Sequence, residues 1–264
     1  MGAIHFSIDP RLAALLAGQL GLELFIETGT FKGDSLAAVR PYFRELHSCE
    51  LSPDLHRAAV ERFRDDQAVH CHAGSSGELL SMLAAATVGR PTLFWLDAHW
   101  CAAEHAAGAE SQCPLLDELQ AITPLHADSV VWIDDARYFQ APPPAPLQTR
   151  GWPSFQQVLD ALRRLSSAHH LVCADDTLLF YPPRITDAVA AHLHAYGADW
   201  LAIAHSARLE TELRDALART QQECDRLRNR LHGRPSRCRR LGRMLKWVKH
   251  SFVQAMVHAR PNRT

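Results

Sequence analysis

Two acid clusters sit where this sequence could place chemistry. Thr92 to Leu96 is a short apolar run that Pro91 introduces and Asp97-Ala98-His99 ends. A run of that length between turn residues reads as a strand buried on both faces, as in a parallel sheet. An acid and an imidazole just past its C-terminal end lie where open α/β sheets bind ligands. Val130 to Ile133 is a second such run, and it ends on Asp134-Asp135. Three carboxylates on adjacent strand ends suit Mg²⁺ or another hard divalent cation, which keeps open positions for water or substrate. Asp97, Asp134 and Asp135 are the expected ligands. Such an ion lowers the pKa of a hydroxyl bound to it. His99, titrating near neutrality, can then take the proton. Blander readings stand beside these. An Asp-Asp pair can be a helix cap or a turn, and Asp175-Asp176 is the same dipeptide in a segment that reads as a hairpin turn. His99 can be a hydrogen-bonded wall residue beside Trp100. His99, Cys101, His105 and Cys113, at spacings of 2, 4 and 8, match no zinc finger or paired knuckle.

A second constellation precedes the first. Glu27-Thr28-Gly29-Thr30-Phe31-Lys32-Gly33 has the shape E-x-G-x-x-x-G at a strand-to-helix turn. Gly29 and Gly33 allow a sharp turn and close approach of backbone to ligand; Thr30 and Phe31 lie between them. Glu27 can accept from an ammonium. Glu50, 23 positions later, ends the next strand and can accept from ribose hydroxyls. Gly74-Ser75-Ser76 ends the third strand, where an adenine would lie. Neither the G-x-G-x-x-G of pyrophosphate binders nor a P-loop is present. Acids at two strand tips suit a nucleoside carrying positive charge, and S-adenosylmethionine is such a ligand. Each glycine turn alone can also be an ordinary tight turn.

With these residues in order, roughly residues 20–183 resemble the class I S-adenosylmethionine-dependent methyltransferases. Within that superfamily the chain is most similar to the metal-dependent O-methyltransferases that modify sugar hydroxyls on macrolide-type natural products. The resemblance implies a divalent ion held by the strand-four acid, Asp97, and the strand-five pair, Asp134-Asp135. It implies a general base two residues after the strand-four acid, which is His99. It also implies a sugar or glycoconjugate acceptor, a small molecule or a glycan. Thr30 and Phe31 depart from the family, where a further glycine is common. The loop 101–112 and the chain beyond Pro183 match nothing in it.

The elements that must position these residues follow from hydrophobic periodicity. Strand and helix alternate five times from Leu24, and strands over 170–174 and 178–181 close the set. The expected fold is α/β: a Rossmann-like, doubly wound, mostly parallel sheet with an antiparallel edge hairpin and a C-terminal helical extension. Residues 1–183 read as the methyltransferase domain, 184–233 as a helical extension and 234–264 as a basic amphipathic tail. Five prolines in 141–153 make an extended loop there. Leu213, Leu217, Thr220, Cys224, Leu227 and Leu231 form a heptad-like seam, so 209–231 is the expected surface of any homo-oligomer.

Charge separates body from tail. Nine of the 28 Lys and Arg lie in 234–264, which has no acid, leaving 19 basic residues against 29 acidic ones elsewhere. Apolar residues share one face of 239–257, the profile of an interfacial helix facing an anionic membrane. The body offers no basic groove for nucleic acid. Seven cysteines without a CxxC read as reduced core residues, with Cys49, Cys71 and Cys173 inside strands. The expected location is cytoplasmic, with the tail reaching the inner membrane surface. The competing functional reading is a non-catalytic scaffold that the tail recruits to a membrane or a complex.

Overall fold

The structure, a computed structural model, describes residues 7–101, 108 and 112–232. The basic tail, with its expected helix over 239–257, and most of the segment 101–112 lie outside those residues. In chain order the elements are α1 (Pro10–Leu20), β1 (Leu24–Thr28), α2 (Asp34–Val39), β2 (Glu45–Glu50), α3 (Pro53–Phe63), β3 (Val69–Ala73), α4 (Ser76–Thr87) and β4 (Thr92–Leu96). They continue as α5 (Leu115–Ala121), β5 (Val130–Ile133), α6 (Arg137–Gln140), α7 (Phe155–Leu165), β6 (His170–Ala174), β7 (Thr177–Tyr181), α8 (Thr186–Tyr196) and α9 (Trp200–His232).

Local chemistry sets the boundaries. Asp9 caps α1 by accepting from Arg11 N at 2.8 Å, Pro10 opens the helix, and Gly21 ends it at φ 66°. Ser75 with Glu78, and Ser154 with Gln157, close reciprocal capping boxes on α4 and α7. Every residue of β1, β4, β5 and β7 is buried, as the apolar runs require.

The seven strands form one sheet in the order β3-β2-β1-β4-β5-β7-β6. The pairs from β3 to β5 are parallel; β7 runs antiparallel to both β5 and β6. The fold is therefore Rossmann-like and doubly wound, with the antiparallel hairpin at one edge. Register lines up the C-terminal ends of the parallel strands: Thr28 pairs with Cys49 and with Leu96, and Leu96 with Ile133. Apolar layers cover both faces. Leu16, Phe25, Leu36 and Leu93 belong to one, where Trp95 and Trp132 meet edge-on at 5.3 Å. Ile26, Leu80, Leu119, Phe139 and Trp152 belong to the other.

Two compact units divide the chain, Met1–Ala198 and Asp199–Thr264. The first runs past position 183 and takes in α8, whose Val189 joins the core and whose His192 Nε2 meets Asp9 Oδ2 at 2.9 Å. In the second, α9 is one helix of 33 residues. It is braced by Arg208–Glu212 and Glu210–Arg214 pairs, with Leu213, Leu217 and Leu227 exposed. The cysteine expectation is corrected at one position. Cys49 is buried and Cys71 half-buried, but Cys173 is exposed, because β6 is an edge strand. No helix among the described residues is long and apolar enough to cross a membrane.

Candidate active site

The aligned strand ends continue their hydrogen bonding for one more residue, and this sets the frame of the site. Gly29 N donates to Cys49 O, Gly74 N to Glu50 O, Asp97 N to Thr28 O and Asp134 N to Leu96 O, each at 3.1 Å. The first residues after β1, β3, β4 and β5 are thereby held in one row. A cleft opens above part of that row, lined by Gly29, Phe31, Glu50, Gly74, Ser75, Ser76, Asp97 and His99 among others.

Of the residues expected to hold the cofactor, Gly29, Phe31, Glu50, Gly74, Ser75 and Ser76 face this cleft; Glu27, Thr30 and Gly33 lie outside its lining. At Gly29, φ is +84° and a Cβ would come within 2.5 Å of the Asp97 carbonyl oxygen, so glycine is what lets the first turn pack against the tip of β4. Gly33, at φ +75°, leads into α2 and leaves room for the Phe63 ring. Thr30 is buried, with Oγ1 2.6 Å from Ser48 Oγ. Glu50 accepts from Phe31 N and Ser52 N, both at 2.8 Å, which ties the first turn to the second strand tip.

Glu27 is wholly buried. Its Oε2 accepts from Ser48 Oγ at 2.5 Å, and its Oε1 makes no hydrogen bond among the described residues. Burial pushes this carboxyl up to about 8, with the Ser48 bond only partly offsetting it. An acid in that state, beneath a cleft that also presents Glu50 and Asp97, suits a cationic ligand better than an anionic one.

The acid cluster of β4 and β5 has its own internal order. His99 Nε2 lies 2.5 Å from Asp135 Oδ2 and 3.5 Å from Asp97 Oδ1. Asp135 Oδ1 also accepts from Arg137 Nη1 at 2.6 Å, and Asp135 N donates to Asp134 Oδ1 at 2.7 Å. Burial pushes Asp97 up to about 8, reinforced by the charge of Asp134. Asp134 is raised as well, chiefly by burial. Burial works against ionisation of Asp135 too, but its bond to His99, the charge of His99 and that of Arg137 win, and it is held down at about 2. For His99, burial favours the neutral ring, yet the bond to Asp135 and the charges of Asp97 and Asp135 raise its pKa overall. The surroundings therefore favour the imidazolium, a form in which the ring has no free lone pair to act as base.

Two buried carboxylates with raised pKa values, Asp97 and Asp134, beside the ionised Asp135 are donors of the kind a hard divalent ion satisfies. Asp97 and Asp134 have the chemistry for that role. Asp135 is shared with His99 and Arg137, so its fit depends on the imidazole giving up its bond.

Further participants had no functional role in the sequence reading. Arg137 bridges Asp135 and Asp176, whose Oδ1 also accepts from Arg137 N at 2.9 Å. Asp176 therefore does more than turn the hairpin: it anchors the start of α6 beside the acid pair. Glu118 is 2 % exposed, and burial raises its pKa, relieved in part by Ser76 and Thr28. Its signal was periodicity, since Glu118 falls on the same face of α5 as Leu115, Leu119 and Ile122. Trp152 packs against the His99 ring at 5.6 Å and, with Gln112, closes the wall of the proline-rich loop, Gln148 N donating to Gln112 Oε1 at 2.9 Å.

No protein-family model and no curated protein matches the sequence. Among solved structures, a candidate caffeoyl-CoA O-methyltransferase from Staphylococcus aureus aligns over 66% of this chain and 84% of its own, with 14% identity and a TM-score of 0.47. The O-methyltransferase TomG of tomaymycin synthesis from Streptomyces achromogenes, in complex with SAM, aligns over 66% and 79% with 17% identity and a TM-score of 0.44. The SAH-bound methyltransferase PaMTH1 from Podospora anserina aligns over 65% and 76% with 15% identity and a TM-score of 0.41.

Proposed function

We propose that the chain is an S-adenosylmethionine-dependent, divalent-metal-assisted O-methyltransferase acting on a hydroxyl of a sugar or glycoconjugate. The observation that carries this reading is the single cleft that joins the tips of β1, β2 and β3 to Asp97 and His99 at the tip of β4. S-adenosylmethionine, when bound, supplies a methyl group on a sulfonium, and the acceptor oxygen displaces that sulfur in line. What remains for the protein is to orient the cofactor and to present a deprotonated oxygen. Glu50 and Gly74-Ser75-Ser76 are placed to orient the nucleoside. Glu27, protonated at neutral pH while its carboxyl stands at about 8, would be drawn toward its ionised form by a cationic ligand nearby. A divalent ion on Asp97, Asp134 and Asp135 would lower the pKa of the acceptor hydroxyl.

His99 takes the departing proton once it is neutral. Asp135, were it to serve as a metal ligand, would give up the contact that favours the imidazolium, which would leave His99 competent as a base. Calorimetry with S-adenosylmethionine tests the cofactor assignment, and no heat of binding to folded protein would refute it. Asp134→Ala should abolish Mg²⁺-dependent turnover on sugar hydroxyls while leaving cofactor affinity within a few-fold. Turnover that persists in chelator would remove the metal from the scheme.

A further inference from the structure

Outside the cleft, the described residues bring together one further set of metal-ligating side chains. Glu45 opens β2, His47 follows two residues later on the same face, and His70 of β3 is the register partner of His47. One ligand atom from each of Glu45, His47 and His70 lies within 4.8 Å of the other two. His47 Nε2 is already 3.0 Å from Glu45 Oε1, and the His47 and His70 rings stack at 4.7 Å. We propose that these three side chains form a divalent-metal site separate from the acid cluster, selective for Zn²⁺ or a similar borderline cation over Mg²⁺.

The chemistry of the donor set decides the ion. Two imidazoles and one carboxylate are a three-ligand zinc set, with water completing a tetrahedron, whereas Mg²⁺ favours all-oxygen ligands. Zinc bonds of about 2.0–2.1 Å separate tetrahedral ligand atoms by roughly 3.3 Å. The Glu45–His47 pair is already near that spacing, and His70, which is exposed, has the freedom to close the rest. The two more enclosed ligands also have their outer partners in place. His47 Nδ1 is 3.0 Å from His72 Nε2, which fixes the ring and leaves Nε2 directed at Glu45. Glu45 Oε2 accepts from Arg90 Nη2 at 2.8 Å, leaving Oε1 toward the histidine. Such outer partners are what hold metal ligands in orientation. The site lies at the opposite end of β2 from Glu50, about 16 Å away at the usual rise per strand residue. An ion there would clip the edge strand β3 to β2.

The test uses the full-length protein, stripped with chelator and titrated with Zn²⁺ and then Co²⁺. Wild type should bind one equivalent of Zn²⁺ that tenfold Mg²⁺ does not displace. Its melting temperature should rise, and Co²⁺ should give a tetrahedral visible spectrum without a thiolate charge-transfer band. His70→Ala, at an exposed position, should fold normally and lose that affinity by at least about 100-fold, more than loss of an outer partner costs. Asp97→Asn/Asp134→Asn should retain it. The proposal is overturned if wild type takes up no Zn²⁺, if His70→Ala binds as tightly as wild type, if the acid-cluster variant loses the site, or if a thiolate band appears. The readouts do not depend on methyl transfer, so failure here leaves the proposed activity untouched, and the reverse.

Discussion

Glu27→Gln isolates the cost of holding a carboxyl beneath the cleft. The substitution keeps the shape of the side chain and removes its proton chemistry. A rise from the ordinary 4.5 to about 8 corresponds, at about 1.4 kcal/mol per pH unit, to roughly 5 kcal/mol against the ionised form in the folded state. The folded protein keeps a proton that the unfolded chain releases. The stability associated with that proton is fully present below pH 4.5 and is lost as pH rises to about 8. Glutamine has no such dependence. It can still accept from Ser48, but its amide N–H groups inherit the position where Oε1 makes no bond, a loss of about 1–3 kcal/mol. Glu27→Gln should therefore be less stable than wild type at pH 5 and more stable at pH 9. Asp97, also pushed up to about 8, is present in both proteins, and its charge adds to the Glu27 rise less than burial does. Urea unfolding of both at pH 5, 6, 7, 8 and 9, extrapolated to water, measures that difference directly. A difference that stays constant within about 1 kcal/mol over this range would show that Glu27 ionises as an ordinary surface acid, and the account of its burial would be wrong.

Other expectations rest on single contacts. His99 should titrate above its ordinary value by imidazole NMR, and in Asp135→Asn its pKa should fall; stability from this pair is present between the two pKa values and is lost both as pH rises through that of His99 and as it falls through that of Asp135, at about 2. Gly29→Ala should cost about 2 kcal/mol or more in chemical unfolding, because it meets both a positive φ and the Asp97 carbonyl, and it should weaken cofactor affinity with it. Arg137→Met should destabilise by roughly 2 kcal/mol, less than the 3–5 of a fully buried pair, since the guanidinium is about a third exposed and its acids are not. In the same variant Asp135 should titrate higher.

The middle of the sheet was legible because β4 and β5 are buried on both faces and read as uninterrupted apolar runs that stop on acids. Both strands begin and end where those runs do. The tips of β1 to β4 were also legible, and they do converge. What spacing could not convey was protonation and pairing across distance. His99 and Asp135 are 36 residues apart in sequence, and only the β4–β5 register brings them within hydrogen-bond reach. Arg137 follows the acid pair closely enough to have been noticed, but α6 is a single turn with too few residues to show a period. Asp175-Asp176 was read as a turn, and both residues do adopt positive φ between β6 and β7. Its second role depends on β7 running antiparallel to β5, which sets that turn at the same end of the sheet as the parallel strand tips.

That insertion of β7 between β5 and β6 bears on the order in which the molecule assembles. The strands from β1 to β5 can pair as they are made, each beside one already present. The last strand synthesised instead takes an inner place, and it carries Asp176 to Arg137 across 39 residues of chain. Loop closure over such a length comes late when non-local contacts must wait for local ones. A chain halted before position 176 would hold most of the cleft but lack the Asp176 clasp on Arg137, which in turn holds Asp135. Competence to hold a charged ligand at β5 would then be among the last properties the folding protein acquires, and ligand capture could serve as a reporter of complete folding.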